Sequence, residues 1–347
     1  MNVKAMTRSI FTIAVLSALL ILSHSTPAVA QKPAKQKDTA GTPVLWRDPG
    51  VISARDLRYG PGSAELAPVP PFTFVSEDKS GSSPKFSVKD SKGVEWKVKL
   101  GEEAQAETVV VRLLWAMGYF SEEAYYFDRV QVTALPRLSR GREFIEGDFV
   151  RGARFEPRRE GVKRGAEWDW EVNPFAGSRE LDGLKVLMVL LNNYDVRVSN
   201  NRILHVTDEK SGRAEAQYFV TDLGATLGNV GGLGGKRTKN NLEDFASSQF
   251  IQGTHADGTV KFAYSTRPKN LGIFAAVFRP SYHARQVKKE KVMQSARIEH
   301  ARWIGTQLSQ LSDEQLRDAF DAAGYSKDTR EAYIKVLRDR INQLTRL

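Results

Sequence analysis

The chain has 347 residues, of which 41% are hydrophobic and 27% charged, the balance of an ordinary folded protein with a sizeable core in one large domain or two lobes. It contains no cysteine, which excludes disulfide scaffolds, cysteine-based zinc sites and thiol nucleophiles. Lysine and arginine (51) outnumber aspartate and glutamate (41), and the resulting net charge of +10 favours anionic partners: phosphates, nucleic acid, acidic protein or an anionic envelope polymer.

Residues 1–30 have the pattern of a secretory leader. Lys4 and Arg8 precede an apolar run from Ile10 to Leu22, and Ala28-Val29-Ala30 supplies a small-residue cleavage site before Gln31. The run is shorter than the roughly 18 residues a spanning helix needs, so cleavage near Ala30 and a periplasmic or extracellular location are expected, with no retained transmembrane helix. From Gln31 to Thr42 the chain is polar and lysine-rich and reads as a tether. Val44 to Pro71 mixes proline and glycine with Trp46, Ile52 and Leu57, which predicts irregular wrapping over a folded body, so 31–71 forms one linking segment. No internal repeat is present.

Phe72–Val75, Lys85–Lys89 and Val94–Leu100 are short β-favouring runs separated by turn-forming stretches, which predicts a three-stranded antiparallel meander. Glu102–Tyr119 follows with helix formers and apolar residues at Val110, Leu113, Leu114 and Met117, and Gly118 stops it. Val130–Leu138 reads as a returning strand, and Arg137–Arg164, dense in arginine and glycine, as a loop-rich connector. Leu181–Leu191 is apolar nearly all round and must lie inside a larger body. A polar stretch from Asn192 to Asn201 leads into a hairpin of Arg202–Val206 and Ala216–Thr221. The last sixty residues are helical, with Leu311, Leu316 and Phe320 on one face.

The hairpin carries a chemical consequence. In an antiparallel pair the start of the first strand and the end of the second share an edge, so Asn200 and Asp222 should be neighbours, with Asp195 facing the same edge from the preceding loop. Two carboxylates and an amide oxygen at one mouth suit Mg²⁺ or Mn²⁺, which favour oxygen ligands and leave positions for phosphate and water. Farther up the chain, Lys97 and Lys99 point to one face of an alternating strand, and Glu103 and Glu107 follow in the next helix. An ion pair between such a lysine and such a glutamate is how protein kinases hold a lysine over nucleotide phosphates. Lys97 or Lys99, and Glu103 or Glu107, could supply that pair.

Two stretches carry a family resemblance covering roughly residues 72–225. Glu107 followed by Arg112-Leu113-Leu114-Trp115-Ala116-Met117-Gly118 resembles the strand-and-helix region of HipA-type kinases. Asn193-Tyr194-Asp195-Val196-Arg197-Val198-Ser199-Asn200 is similar to the HipA catalytic loop and to the equivalent loops of CotH spore-coat and secretory-pathway kinases, with Arg197 where the HipA loop has histidine. The resemblance implies an α+β, two-lobed protein-kinase-like fold: a small antiparallel-sheet N-lobe with one helix over 72–138, and a larger, mostly helical C-lobe over 139–347. It implies that Asp195 is the catalytic base, that Asn200 and Asp222 bind the metal ions, that Lys99 contacts the phosphates of ATP or another nucleotide, and that Glu107 holds Lys99. Gly81 is the one glycine of the corresponding phosphate loop, and 228–235 is a glycine-rich, activation-type segment. The expected activity is phosphoryl transfer to an unknown acceptor, such as an acidic protein or envelope polymer. A catalytically silent pseudokinase that binds an acidic envelope component, or a secreted metal-dependent hydrolase built on Asp195 and Asp222, would use the same residues.

Other features read as structural. His205, His255, His283 and His300 are scattered singly. Trp168-Asp169-Trp170 reads as a plug at an internal interface ahead of a stacking platform. The arginine run from Arg151 to Arg164 reads as a solvated loop, with docking of an acidic substrate as its functional counterpart.

Overall fold

The computed structural model describes residues 41–81, 83–158, 165–208, 212–230, 237–267 and 277–347. The leader, nearly all of the tether, Arg159 to Arg164 and most of the 228–235 segment lie outside the described residues. The fold is α+β. Its strands are β1 (Thr42–Val44), β2 (Phe72–Asp78), β3 (Lys85–Lys89), β4 (Glu95–Leu100), β5 (Tyr125–Thr133), β6 (Ile145–Glu146), β7 (Phe149–Pro157), β8 (Asn201–Thr207), β9 (Ala214–Val220), β10 (Ile251–Thr254) and β11 (Val260–Phe262). Its helices are α1 (Glu103–Ala116), α2 (Arg179–Leu190), α3 (Leu242–Ser247), α4 (Pro280–Met293), α5 (Ile298–Ser309), α6 (Asp313–Asp321) and α7 (Lys327–Thr345). Among the described residues no helix is long and apolar enough to cross a membrane.

The expected meander β2–β3–β4 forms, but it belongs to a larger structure. Its sheet runs β4-β3-β2-β5-β7-β6, and β4 also pairs with β7, so five strands close into a barrel. One pairing in it, β2 with β5, is parallel. Phe72, Phe86, Trp96, Val98, Leu100 and Phe155 fill the interior, with Phe155 packed against the rings of Phe72, Trp96 and Phe127. The loop-rich connector expected over 137–164 is therefore overturned, since β7 is a nine-residue strand of the barrel wall. The strand read at Val130–Leu138 likewise begins earlier, at Tyr125, and ends at Thr133, where Ala134 adopts a positive φ of 56°.

Period-two patterning hides β7 for a physical reason. Val150 is buried in the barrel, yet so are Ala153 and Phe155, three and five residues on. The inward parity changes between Val150 and Ala153, and Gly152 between them takes φ +60°, a region open to glycine at little cost. On the paired strand β5 the parity changes at the matching place, from Tyr125 and Phe127 to Val130 and Val132.

Helix α1 departs from the expected sheet-plus-helix unit in a second way. Its apolar residues Val109, Val110, Leu113 and Leu114 join the large core formed by α2, the β8–β9 hairpin and the C-terminal helices. A closed barrel fills its own interior, so the helix must bury its apolar side elsewhere. Gly118 ends it with φ +86°, and a Cβ there would lie 2.1 Å from the Arg47 carbonyl, so only glycine fits beneath the incoming segment. That segment, Leu45 to Pro71, sinks Leu45, Ile52 and Leu57 into the same core. Thr42–Val44 pairs in parallel with β9.

Helix α2 starts at Ser178, whose side chain accepts a hydrogen bond from the Leu181 amide, and nearly every residue it contains is buried. Trp168 and Trp170 are both buried, with Trp168 packed beside Tyr218 of β9 and donating to the Phe219 carbonyl, so they plug the hairpin and offer no stacking platform.

Phe155 has no solvent exposure and touches three aromatic rings, so Phe155→Ala is expected to lower stability by about 3–5 kcal/mol in urea unfolding.

Candidate active site

On β4 the alternation that sends Trp96, Val98 and Leu100 inward sends Lys97 and Lys99 outward, onto the barrel's polar side. Lys99 is 7% exposed at its side chain and lies 2.8 Å from Glu103 Oε2, 3.1 Å from Glu107 Oε2 and 2.7 Å from Asp222 Oδ1. The two glutamates that the sequence set in competition therefore both hold the same ammonium; four residues apart on α1, they share a helix face. Lys97 belongs to a neighbouring pair, 3.4 Å from Glu156.

Strand β7 supplies the residues that sequence reading missed. Its register places Arg154 opposite Lys99 and Glu156 opposite Lys97. The Arg154 guanidinium, 1% exposed, lies 3.2 Å from Glu107 Oε2 and 3.1 Å from Glu156 Oε2. The available signal was the short alternation Ala153-Arg154-Phe155-Glu156, which matches Lys97-Val98-Lys99 across a sheet. Elsewhere in the arginine run, Arg151 pairs with Glu146 and Arg158 with Glu95.

The hairpin brings the second half of the site. The Thr221 amide donates to the Asn200 carbonyl at 2.7 Å, fixing the shared edge. Asp222 follows with φ +54°, a left-handed conformation uncommon outside glycine, and its half-exposed carboxylate turns to Lys99. The Leu223 amide donates to Glu107 Oε1 at 3.2 Å. Gly224 lies against Glu103, where a Cβ would come within 2.5 Å of the glutamate Cβ. Lys239, farther along, reaches back to Glu103 Oε1 at 2.6 Å.

Lys97, Lys99, Glu107, Asn200, Asp222 and Gly81 line one cavity of about 350 Å³. Gly81, with φ +65°, sits in the β2–β3 turn beside Ser80 and Ser83, and Ser83 donates to Glu103. A second cavity of about 490 Å³ shares Ser80, Lys85, Lys97, Glu122 and Glu156 with the first and extends over Pro157, Leu204, Val206 and Phe219. A charged chamber thus opens beside a more apolar slot.

Asp195 does not line either cavity. It stands against Asn200, whose Nδ2 donates to the Asp195 carbonyl at 2.8 Å and lies 3.4 Å from its Oδ2. Arg197 Nε is 2.5 Å from Asp195 Oδ1. The Asp195 amide donates to Asn193 Oδ1, and the Asn193 carbonyl accepts from the buried Tyr264 hydroxyl, so the loop is pinned from the core. The expected convergence of two carboxylates and an amide oxygen is reduced to Asn200 and Asp222, because Asp195 turns toward Arg197.

The donor chemistry fits Mg²⁺ or Mn²⁺. With Nδ2 committed to Asp195, Asn200 has its Oδ1 left for a cation, and with Oδ1 committed to Lys99, Asp222 has its Oδ2. Two hard oxygens with the rest left to water and phosphate is the usual economy of a Mg²⁺ site. Among the described residues no group of three or more histidine, cysteine, aspartate or glutamate side chains forms a metal cage.

Charge placement tunes the titrating groups. Burial pushes the Lys99 pKa down, but Glu107, Asp222 and Glu103 outweigh it and hold the ammonium above its ordinary value. Burial likewise raises Glu103, while Lys99 and the hydrogen bonds from Lys239 and Ser83 bring it down to about 2. Glu122 goes the other way: burial, then the Glu156 carboxylate, push it up to about 7.

No known protein family matches the sequence, and no curated protein is similar to it. Among solved structures, the Helicobacter pylori proinflammatory kinase CtkA is similar over 80% of this chain and 97% of its own, at 10% identity and a TM-score of 0.42. A likeness of that degree assigns neither fold nor chemistry.

Two outcomes are expected. Lys99→Met leaves Glu103, Glu107 and Asp222 crowded without their ammonium, and should cost about 3–5 kcal/mol in urea unfolding at neutral pH. Glu122 binds its proton more tightly folded than unfolded, so the stability it contributes is complete below its ordinary value of 4.5 and is lost as pH rises through about 7. Glu122→Gln should therefore flatten the fall in melting temperature between those pH values and raise stability at pH 8 by roughly 1–2 kcal/mol.

Proposed function

We propose that the chain is an exported kinase-like phosphotransferase, moving a phosphoryl group from ATP or another nucleotide to an acceptor hydroxyl with Mg²⁺ or Mn²⁺. The observation that carries this reading is the meeting of Lys99 from the barrel with Asn200 and Asp222 from the hairpin around one cavity roofed by the Gly81 turn. Export rests on the leader-like pattern of residues 1–30.

In this reading the second cavity, which has an apolar wall of Pro157, Leu204, Val206 and Phe219 beside its charged residues, takes the base, and the charged chamber takes the phosphates. Lys99 and Lys97 neutralise phosphate oxygens. Glu107 and Glu103 hold Lys99 in place so that little reorganisation is needed during transfer. Asn200 and Asp222 would hold the metal, which when bound neutralises charge on the phosphate oxygens. Asp195 orients the acceptor hydroxyl and takes its proton as the acceptor oxygen bonds to the terminal phosphorus and the bond to the bridging oxygen breaks, releasing the nucleoside diphosphate. The backbone pinning of Asp195 by Asn193 and Asn200 serves that positioning.

A second reading, a catalytically silent binding protein, is favoured by one observation: Asp195 and Asp222 are already engaged by Arg197 and Lys99. Protein starting at Gln31 distinguishes the two. A nucleotide should raise its melting temperature in the presence of Mn²⁺, and Asp222→Asn should weaken that binding by about tenfold or more. Transfer of labelled phosphate to an envelope extract by the wild type and not by Asp222→Asn supports the enzyme. Equal behaviour of the two forms ends the phosphotransferase reading.

A further inference from the structure

The loop carrying Asp195 also faces a group of cations that the nucleotide cavity does not use. On α4, Tyr282, Arg285 and Lys289 recur at spacings of three and four and so share one face. Arg237 fixes where that face points. Its Nη2 donates to the Tyr282 hydroxyl at 3.0 Å, while its guanidinium carbon lies 5.5 Å from the centroid of the Tyr194 ring, next to Asp195. Arg197, with 59% of its side chain exposed, stands in the same loop. Lys289 is close enough to interact with Asp195, Arg197, Arg237 and Arg285 together.

The charge count on this face is uneven. Among the charges that act on Lys289, three are arginines, Arg197, Arg237 and Arg285, and one is a carboxylate, Asp195. Two nearby cations have their own carboxylates: Arg267 lies 2.6 Å from Glu290, and Lys288 lies 2.6 Å from Glu171. Arg237 hydrogen-bonds neutral partners, the Thr266 carbonyl and the Tyr282 hydroxyl. Burial of Lys289 and the three arginines push its pKa down, with only Asp195 opposing them, as expected of like charges gathered with too few counter-ions. Such a surface is stabilised by an arriving anion and attracts it from a distance.

Resting on the proposed phosphotransfer, we propose that Arg197, Arg237, Arg285 and Lys289 form the acceptor-docking surface, and that the acceptor is an acidic polypeptide whose serine or threonine is flanked by carboxylates. The cations come from the Asp195 loop, the 237 segment and α4, so anions are needed at several places around the acceptor hydroxyl. An extended peptide supplies them from successive side chains, whereas an isolated phosphoryl group meets only one place. Guanidinium groups, which dominate here, pair with carboxylates bidentately. A carboxylate drawn to Arg197 would also relieve its ion pair with Asp195 and leave that oxygen for the acceptor proton.

Fluorescence anisotropy without nucleotide tests the surface separately from the reaction. The probes are a fluorescein-labelled serine peptide flanked by glutamates, the same peptide flanked by lysines, and labelled polyphosphate. The glutamate peptide should bind protein starting at Gln31, weaken as salt rises, and lose at least about tenfold in affinity on the paired change Arg285→Glu and Lys289→Glu, with Arg285→Lys retaining binding. Arg285→Gln with Lys289→Gln serves if the charge-reversed pair fails to fold. Equal binding of glutamate and lysine peptides, or unchanged glutamate-peptide binding in the charge-altered pair, overturns the inference. Binding of polyphosphate alone overturns it in favour of a phosphate polymer. If glutamate-peptide binding follows the expected pattern while labelled nucleotide transfers nothing, the docking surface stands and the proposed reaction falls.

Discussion

The site is organised by one buried ammonium. Lys99 projects from a barrel strand into a space almost closed to water, where an unpaired charge would be prohibitively costly. Three carboxylates answer it, two from the helix that follows and one from a hairpin more than a hundred residues away. Because the partners come from separate parts of the chain, the barrel, α1 and the end of β9 must meet at that atom. Buried ion pairs of this kind add little net stability over a well-packed apolar substitute, but they fix relative position sharply. Asp222 differs from the glutamates in being half exposed, so of the three carboxylates around Lys99 it is the most open to solvent.

Closure of the sheet explains why this arrangement is polar on its outer side. A five-stranded barrel is filled by its own side chains, so each outward residue of β4 and β7 meets either solvent or the rest of the protein. The change of facing at Gly152 puts Arg154 and Glu156 outward, opposite Lys99 and Lys97. Three cations and one carboxylate then lie across two paired strands: Lys97 faces Glu156, while Lys99 faces Arg154, and Glu107 lies 3.1 Å from the first and 3.2 Å from the second of these like charges. The Lys97–Glu156 pair favours the register that creates it, and Glu107 from α1 offsets the repulsion between Lys99 and Arg154, so holding β4 to β7 here also requires the helix.

Charge is distributed unevenly over the protein. Around Lys99, acids and bases are interleaved, with Glu103, Glu107 and Asp222 set against Lys99, Arg154 and Lys239. Around Asp195, cations gather: Arg197, Arg237 and Arg285 all lie within interaction range of Lys289. The overall positive charge of the chain is therefore not a uniform surface property, and its functional meaning depends on which groups face which opening.

The sequence alone determined the local elements and the short-range neighbours. The meander β2–β4, helices α1 and α2 and the β8–β9 hairpin are written in periodicity, because each depends on residues a few positions apart. Hairpin geometry likewise set Asn200 beside Asp222, and strand alternation set Lys97 beside Lys99. Tertiary structure decided what periodicity could not carry. Strand β7 breaks its alternation at Gly152, so its identity depends on pairing with β4 and β5. The choice between Glu103 and Glu107 dissolved because one ammonium donates to several carboxylates at once, and Asp195, beside Asn200 but outside the cavity lining, pairs with Arg197. These outcomes rest on contacts between residues far apart in the chain, whose geometry is fixed only when the barrel closes and the helical core packs against it.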